Sequence, residues 1–93
     1  MAKYRVVIKP SASKEIDTVG QKKDRQRIVS RIRSLGDNPR PFGCEKLSGH
    51  LDRYRVREGS YRIVYSIDDE NSLVDVVKVG HRKMFTVKQF GHS

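Results

Sequence analysis

The chain has 93 residues, 35% hydrophobic and 33% charged. That is enough apolar material for one small core, and it argues against a second domain or a deep substrate cavity. Twenty Lys and Arg against eleven Asp and Glu leave a net charge of +9, which favours a polyanionic partner such as nucleic acid, an anionic membrane or an acidic protein.

No apolar run approaches the ~20 residues that cross a bilayer. No signal peptide is expected from the first residues. The single cysteine, Cys44, rules out an internal disulfide and a multi-cysteine zinc site. A reducing, cytoplasmic setting is therefore expected.

From Lys3 to Lys9, Tyr4, Val6 and Ile8 alternate with Arg5, Val7 and Lys9. This period of two predicts a first strand, which Pro10 stops. Ser11 or Ser13 is placed to cap a short helix running to about Val19, and Gly20 punctuates its end. Gln21 to Leu35 carries the strongest helical pattern, with Ile28, Ile32 and Leu35 on one face. The other face holds Lys22, Lys23, Arg25, Arg27, Arg31 and Arg33, opposed only by Asp24. It reads either as a solvated surface or as a dock for phosphates or an acidic partner. Gly36 ends the helix, and Asp37 to Pro41 forms a loop.

Glu45 to Leu47 is a short extended piece. Tyr54–Glu58 and Tyr61–Asp68 read as two strands joined by Gly59-Ser60, a link suited to a type II′ hairpin turn. Asp69-Glu70-Asn71 makes the next turn, and Leu73–Val79 is apolar enough for a buried strand. A short helix or tail is expected over Lys83–Phe90. The predicted fold is α+β: an N-terminal strand, a helical hairpin and an antiparallel three-strand meander in two layers. Residues 1–93 are expected to form one domain.

The Gly59-Ser60 turn fixes a register. Glu58 faces Tyr61, Arg57 faces Arg62, Val56 faces Ile63, Arg55 faces Val64 and Tyr54 faces Tyr65. The pleat then puts Tyr54, Val56, Ile63 and Tyr65 on a core face and Arg55, Arg57 and Arg62 on the other. Like charges directly opposite one another are destabilising. Nothing acidic on the open face of the hairpin offsets them, unless the register brings Asp68 or Asp75 there. A phosphate between the guanidiniums explains the cluster; splayed, solvated side chains are the alternative.

The block from Tyr54 through Tyr65, with the Ile67-Asp68-Asp69-Glu70 turn and Val79-Gly80-His81-Arg82-Lys83, resembles the core of the RelE/ParE toxin superfamily. Lys46-Leu47-Ser48-Gly49 resembles the family's lysine-leucine-x-glycine segment, and the element order agrees over nearly the whole chain. The resemblance implies the toxin of a type II toxin–antitoxin pair. In the RelE branch such a toxin enters the ribosomal A site and cuts messenger RNA; in the ParE branch it inhibits DNA gyrase without being a nuclease. The RelE-like reading is the leading one. It implies a cognate antitoxin, the ribosome and mRNA as partners, and no cofactor, metal or membrane.

By position, the resemblance makes Arg62 the family's catalytic arginine and Arg82 the arginine after the last strand. Arg55 and Arg57 occupy positions that are lysine in some relatives. Lys46 and Lys83 are the expected further substrate contacts. Many relatives carry a tyrosine after Arg82, whereas here Lys83-Met84-Phe85-Thr86-Val87 follows and no tyrosine comes after Tyr65. Phe85 or Phe90 can stack on a base but cannot move a proton. His81 and His92 are then the candidates for a titrating group. His50 reads as a surface residue, and the three histidines have no metal-ligand spacing.

Overall fold

The computed structural model of the chain describes residues 3–47, 49 and 52–81. Its elements are β1 (Arg5–Ile8), α1 (Pro10–Asp17), α2 (Lys22–Ser34), β2 (Glu45–Lys46), β3 (Arg53–Glu58), β4 (Tyr61–Asp68) and β5 (Leu73–His81). The strands form one sheet in the order β1-β5-β4-β3-β2. β1 runs parallel to β5, and every other neighbouring pair is antiparallel. The α+β architecture expected from the sequence is the one observed.

The hairpin register is as derived: Tyr54 faces Tyr65, Arg55 Val64, Val56 Ile63, Arg57 Arg62 and Glu58 Tyr61. Gly59 has a φ of +61° while Ser60 does not enter the positive region, as a type II′ turn requires. Both helices pack on one face. Ala12 and Ile16 of α1, Val19 beyond it, and Ile28, Ile32 and Leu35 of α2 join Val56, Ile63, Tyr65, Ile67, Val74, Val76 and Val79 in a single core. Each fully buried aliphatic side chain contributes roughly 1.5–3 kcal/mol.

The start of α1 departs from expectation. Pro10 is its first residue, Lys9 stands at the N-cap, and no side chain caps it. Proline suits this position because the N–H it lacks would have no partner in the helix and its φ is already helical. Ser11 and Ser13 therefore lie inside the helix. At the far end of the helical hairpin, the carbonyl of Gly36 accepts the N–H groups of Lys3 and Tyr4, both at 2.9 Å. This anchors the first residues of the sheet to the end of α2.

β5 extends past the end of β1, whose last partner is Val76. A bulge shifts the β4–β5 register after Val64 and leaves Val77 between the paired Val76 and Lys78. There Glu15 of α1 takes over the edge. Its Oε1 accepts the Val79 N–H at 2.9 Å and its Oε2 accepts from Lys78 Nζ at 3.2 Å. A helix side chain thus satisfies backbone that would otherwise form an exposed sheet edge.

Candidate active site

The face of the sheet away from the helices carries Arg55 and Arg57 on β3 and Arg62 on β4, with Arg57 and Arg62 paired directly. Val64, opposite Arg55, belongs to the same face and is only 7% exposed. The short strand β2 completes the arrangement. It pairs Glu45 with Arg55, so the Glu45 side chain joins the arginines, and Arg55 Nη2 donates to Glu45 Oε1. Gly43, Glu45, Arg55, Arg57 and Arg62 line a cavity of about 160 Å³. That is about five times the ~30 Å³ share of one water in the liquid, enough for a group of several heavy atoms.

Three guanidiniums against one carboxylate leave this cavity cationic. The bond from Arg55 holds the Glu45 carboxyl below its usual range, and the fields of Arg62 and Arg57 lower it further. Glu45 is therefore ionised at neutral pH. Guanidinium forks bind phosphate oxygens in bidentate fashion, and an ionised carboxylate beside them can accept a proton. The acidic neighbour of the arginines is thus Glu45 and neither of the aspartates. Asp68 accepts from Asn71 Nδ2 at 2.8 Å, and Asp75 pairs with Lys9 at 3.1 Å.

The loop leading into the cavity is held at two points. Tyr65 Oη donates to the Pro39 carbonyl at 2.7 Å. Burial pushes the Tyr65 phenol up, with the Cys44 thiol adding to the shift, so it stays protonated as a donor. Arg40 reaches both oxygens of Asp69, at 3.2 and 2.8 Å, and its guanidinium lies 5.4 Å from the centroid of the Tyr54 ring. Tyr4 Oη donates to Asp69 Oδ1 at 2.6 Å. The Arg40 and Tyr4 donors keep the Asp69 carboxyl below its ordinary range, so this clamp is intact at neutral pH.

Of the sequence candidates, Arg55, Arg57 and Arg62 come together. Lys46 does not join them: it pairs with Tyr54, one step from Glu45, and so belongs to the opposite face of the strand. His81 is also on the helix side. It faces Tyr61, and the two rings meet edge-on at 5.4 Å and 77°. The partner of Arg62 on β5 is Gly80. Arg82, Lys83, Phe85, Phe90 and His92 lie outside the described residues, as does His50. Two members of the basic face of α2 have local partners. Arg25 Nη1 donates to the Val19 carbonyl at 2.5 Å, and Arg31 Nε lies 3.8 Å from Glu58 Oε1.

Glu45 was not among the sequence candidates. Its signal was the short extended piece at Glu45 itself: pairing that piece with the next strand, in the register that puts Lys46 beside Tyr54, brings the carboxylate opposite Arg55.

Comparison with known proteins places this geometry. A sequence profile described as the ParE toxin of the type II toxin–antitoxin system parDE matches residues 6–84. A RelE-like toxin protein of Escherichia coli is 31% identical over 83 residues, covering 87% of this chain and 85% of that protein. The RelE in the RelE–RelB complex of Pyrococcus horikoshii superposes with a TM-score of 0.76 at 29% identity, covering 86% of this chain and 96% of that one. An arginine-substituted E. coli RelE in the free state gives 0.73 at 30% identity, covering 89% and 86%.

Proposed function

Starting from the fact that this chain belongs to the RelE/ParE family of toxins of type II toxin–antitoxin systems, we propose that it is a ribosome-dependent mRNA endonuclease of the cytoplasm. The observation that carries this reading is the cavity of Arg55, Arg57 and Arg62 with Glu45 at its wall. A site that only docked against a protein would have no need of three guanidiniums converging on a space of phosphate size.

In the proposed reaction a ribose 2′-oxygen attacks the adjacent 3′-phosphate. The P–O bond to the 5′-oxygen breaks, leaving a 2′,3′-cyclic phosphate and a 5′-hydroxyl. Arg55, Arg57 and Arg62 neutralise the charge that grows on the phosphorus oxygens, where fixed cations are most effective. Glu45 accepts the proton of the 2′-hydroxyl. The role that the resemblance implies for Arg82 is to stabilise the leaving 5′-oxygen, which takes its proton from water.

A carboxylate whose pKa is already depressed is a weak base at neutral pH. The rate must then come largely from orienting the 2′-oxygen in line with the leaving group, a task suited to the ribosomal A site. In translation reactions programmed with a defined message, primer extension is expected to show cuts confined to the A-site codon. The same RNA without ribosomes is expected to be cut slowly or not at all. Rapid degradation of free RNA would contradict this account.

A second reading draws on the matching profile, whose description is that of a ParE toxin: inhibition of DNA gyrase without nuclease chemistry. A supercoiling assay separates the two. Loss of supercoiling with messages left intact selects the gyrase reading and overturns the first.

The solved relatives include RelE bound to RelB, so the partner proposed for this chain is a cognate antitoxin. A surface of net charge +9 suits a flexible acidic segment that folds as it binds. In the co-purified complex, amide exchange is expected to slow across residues 21–35 and 54–65. Unchanged protection over both stretches would place the antitoxin elsewhere.

A further inference from the structure

Phe42 is the most exposed large hydrophobic side chain among the described residues, at 103% of its reference area, while Val7 and Ile8 are 38% and 37% exposed. Single exposed apolar residues are common on protein surfaces, so exposure alone assigns nothing. The position of Phe42 does.

Pro41-Phe42-Gly43-Cys44 closes as a tight turn. The Cys44 N–H donates to the Pro41 carbonyl at 3.0 Å, and Gly43 has a φ of +91°. A positive φ at the third position is the mark of a type II turn, and glycine adopts it without strain. Beyond its two chain neighbours, no described atom lies within 4 Å of where a Gly43 side chain would begin, so the glycine serves the backbone angle and not a close contact. The turn presents Phe42 at its second position, next to Gly43, which itself forms part of the arginine cavity wall. Consecutive Cα atoms are about 3.8 Å apart, so the Phe42 side chain branches from the backbone one residue away from the cavity wall.

The loop carrying the ring is anchored before the chain reaches it. The Tyr65–Pro39 bond and the Arg40–Asp69 pair, at 2.8 Å, tie Pro39 and Arg40, the two residues before the turn, to residues of the sheet and its adjoining loop. A loop fixed in advance loses less freedom when something binds to it. Phe42 is therefore an exposed aromatic side chain on a braced turn whose next residue, Gly43, lines the cavity of Arg55, Arg57 and Arg62. Single-stranded nucleic acid is recognised by this pairing of backbone cations and a stacking ring.

We propose that Phe42 is the stacking platform for a nucleobase flanking the phosphate held by Arg55, Arg57 and Arg62. The inference rests on reading the arginine cavity as a site for RNA phosphate. It assigns to a described residue the stacking role expected from the sequence at Phe85 or Phe90.

The chain contains no tryptophan, so Phe42→Trp places a lone tryptophan, excited selectively over the tyrosines, at the platform. The probes are a four-nucleotide 2′-O-methyl RNA, which cannot be cleaved at its 2′ positions, and the same backbone without bases. The base-bearing RNA is expected to quench Phe42→Trp emission, and the abasic strand to bind without quenching. By anisotropy, Phe42→Ala is expected to bind the base-bearing RNA about tenfold more weakly than wild type and the abasic strand equally well, with Phe42→Trp restoring the difference.

If Phe42→Ala binds both strands as wild type does while Arg62→Ala loses both, the platform is refuted and the phosphate site stands. If wild type binds neither strand, the RNA reading of the cavity fails and the platform with it. An emission change with the antitoxin but none with RNA assigns the ring to the protein partner and refutes the proposal.

Discussion

Arg62→Ala is expected to lower A-site cleavage by about 100-fold or more and to abolish growth inhibition, without lowering the melting temperature. The first part follows from the place of Arg62 in the cavity wall. Removing one preorganised donor from a site of developing negative charge commonly costs 10²–10³ in rate, about 3–4 kcal/mol. The second part follows from the register. Arg62 stands directly opposite Arg57, and like charges in that arrangement oppose folding. Removing one therefore relieves repulsion while it destroys function.

Arg62→Lys should fall between, keeping the charge but losing the planar fork. Cleavage rates on programmed ribosomes and melting curves by circular dichroism measure the two parts. Full cleavage by Arg62→Ala would end the assignment of this cavity to catalysis.

The largest expected loss of stability comes from the opposite face. Ile28 is 0% exposed at the middle of α2, packed in the core between helix and sheet. Truncation to alanine removes buried methyl groups and leaves a cavity, at a cost of about 2–5 kcal/mol. A domain of this size has roughly 5–15 kcal/mol in all. The melting temperature is expected to fall on the order of 10–30 °C, as read by thermal denaturation. Toxicity should fade through loss of folded protein, with the arginine cavity intact in the molecules that remain folded. Bound antitoxin should restore much of the lost stability by mass action. A shift of only a few degrees would mean that α2 is not essential to the core.

Local patterns carried most of the fold. A two-residue turn containing Gly59 set the β3–β4 register and the separation of arginines from core residues, because side chains alternate strictly along a strand. Ile28, Ile32 and Leu35 marked the buried stripe of α2 through their spacing alone. What the sequence did not reveal depends on distant or very short elements. The parallel pairing of β1 with β5 joins Arg5 to Leu73, and no local pattern announces such a partner. Glu45 sits on a strand of two residues, too short for its alternation to be read. The hydroxyls of Ser11 and Ser13 suggested a cap that Pro10 made unnecessary. The faces of Lys46 and His81 follow from register, which only the assembled sheet defines.

The central position of β5 also dictates when this protein can become itself during synthesis. β1 and α1 are made before β5, yet among the described residues β1 pairs only with β5, and α1 packs mainly against it. A nascent chain stopped short of Leu73 lacks the strand that β1 pairs with and the element that α1 packs against most, leaving α1 only its contact with α2. Contacts between residues so distant along the chain must await its emergence and then form late and cooperatively. A protein proposed to attack ribosomes thus has to be released from its own as far as β5 before its sheet can close.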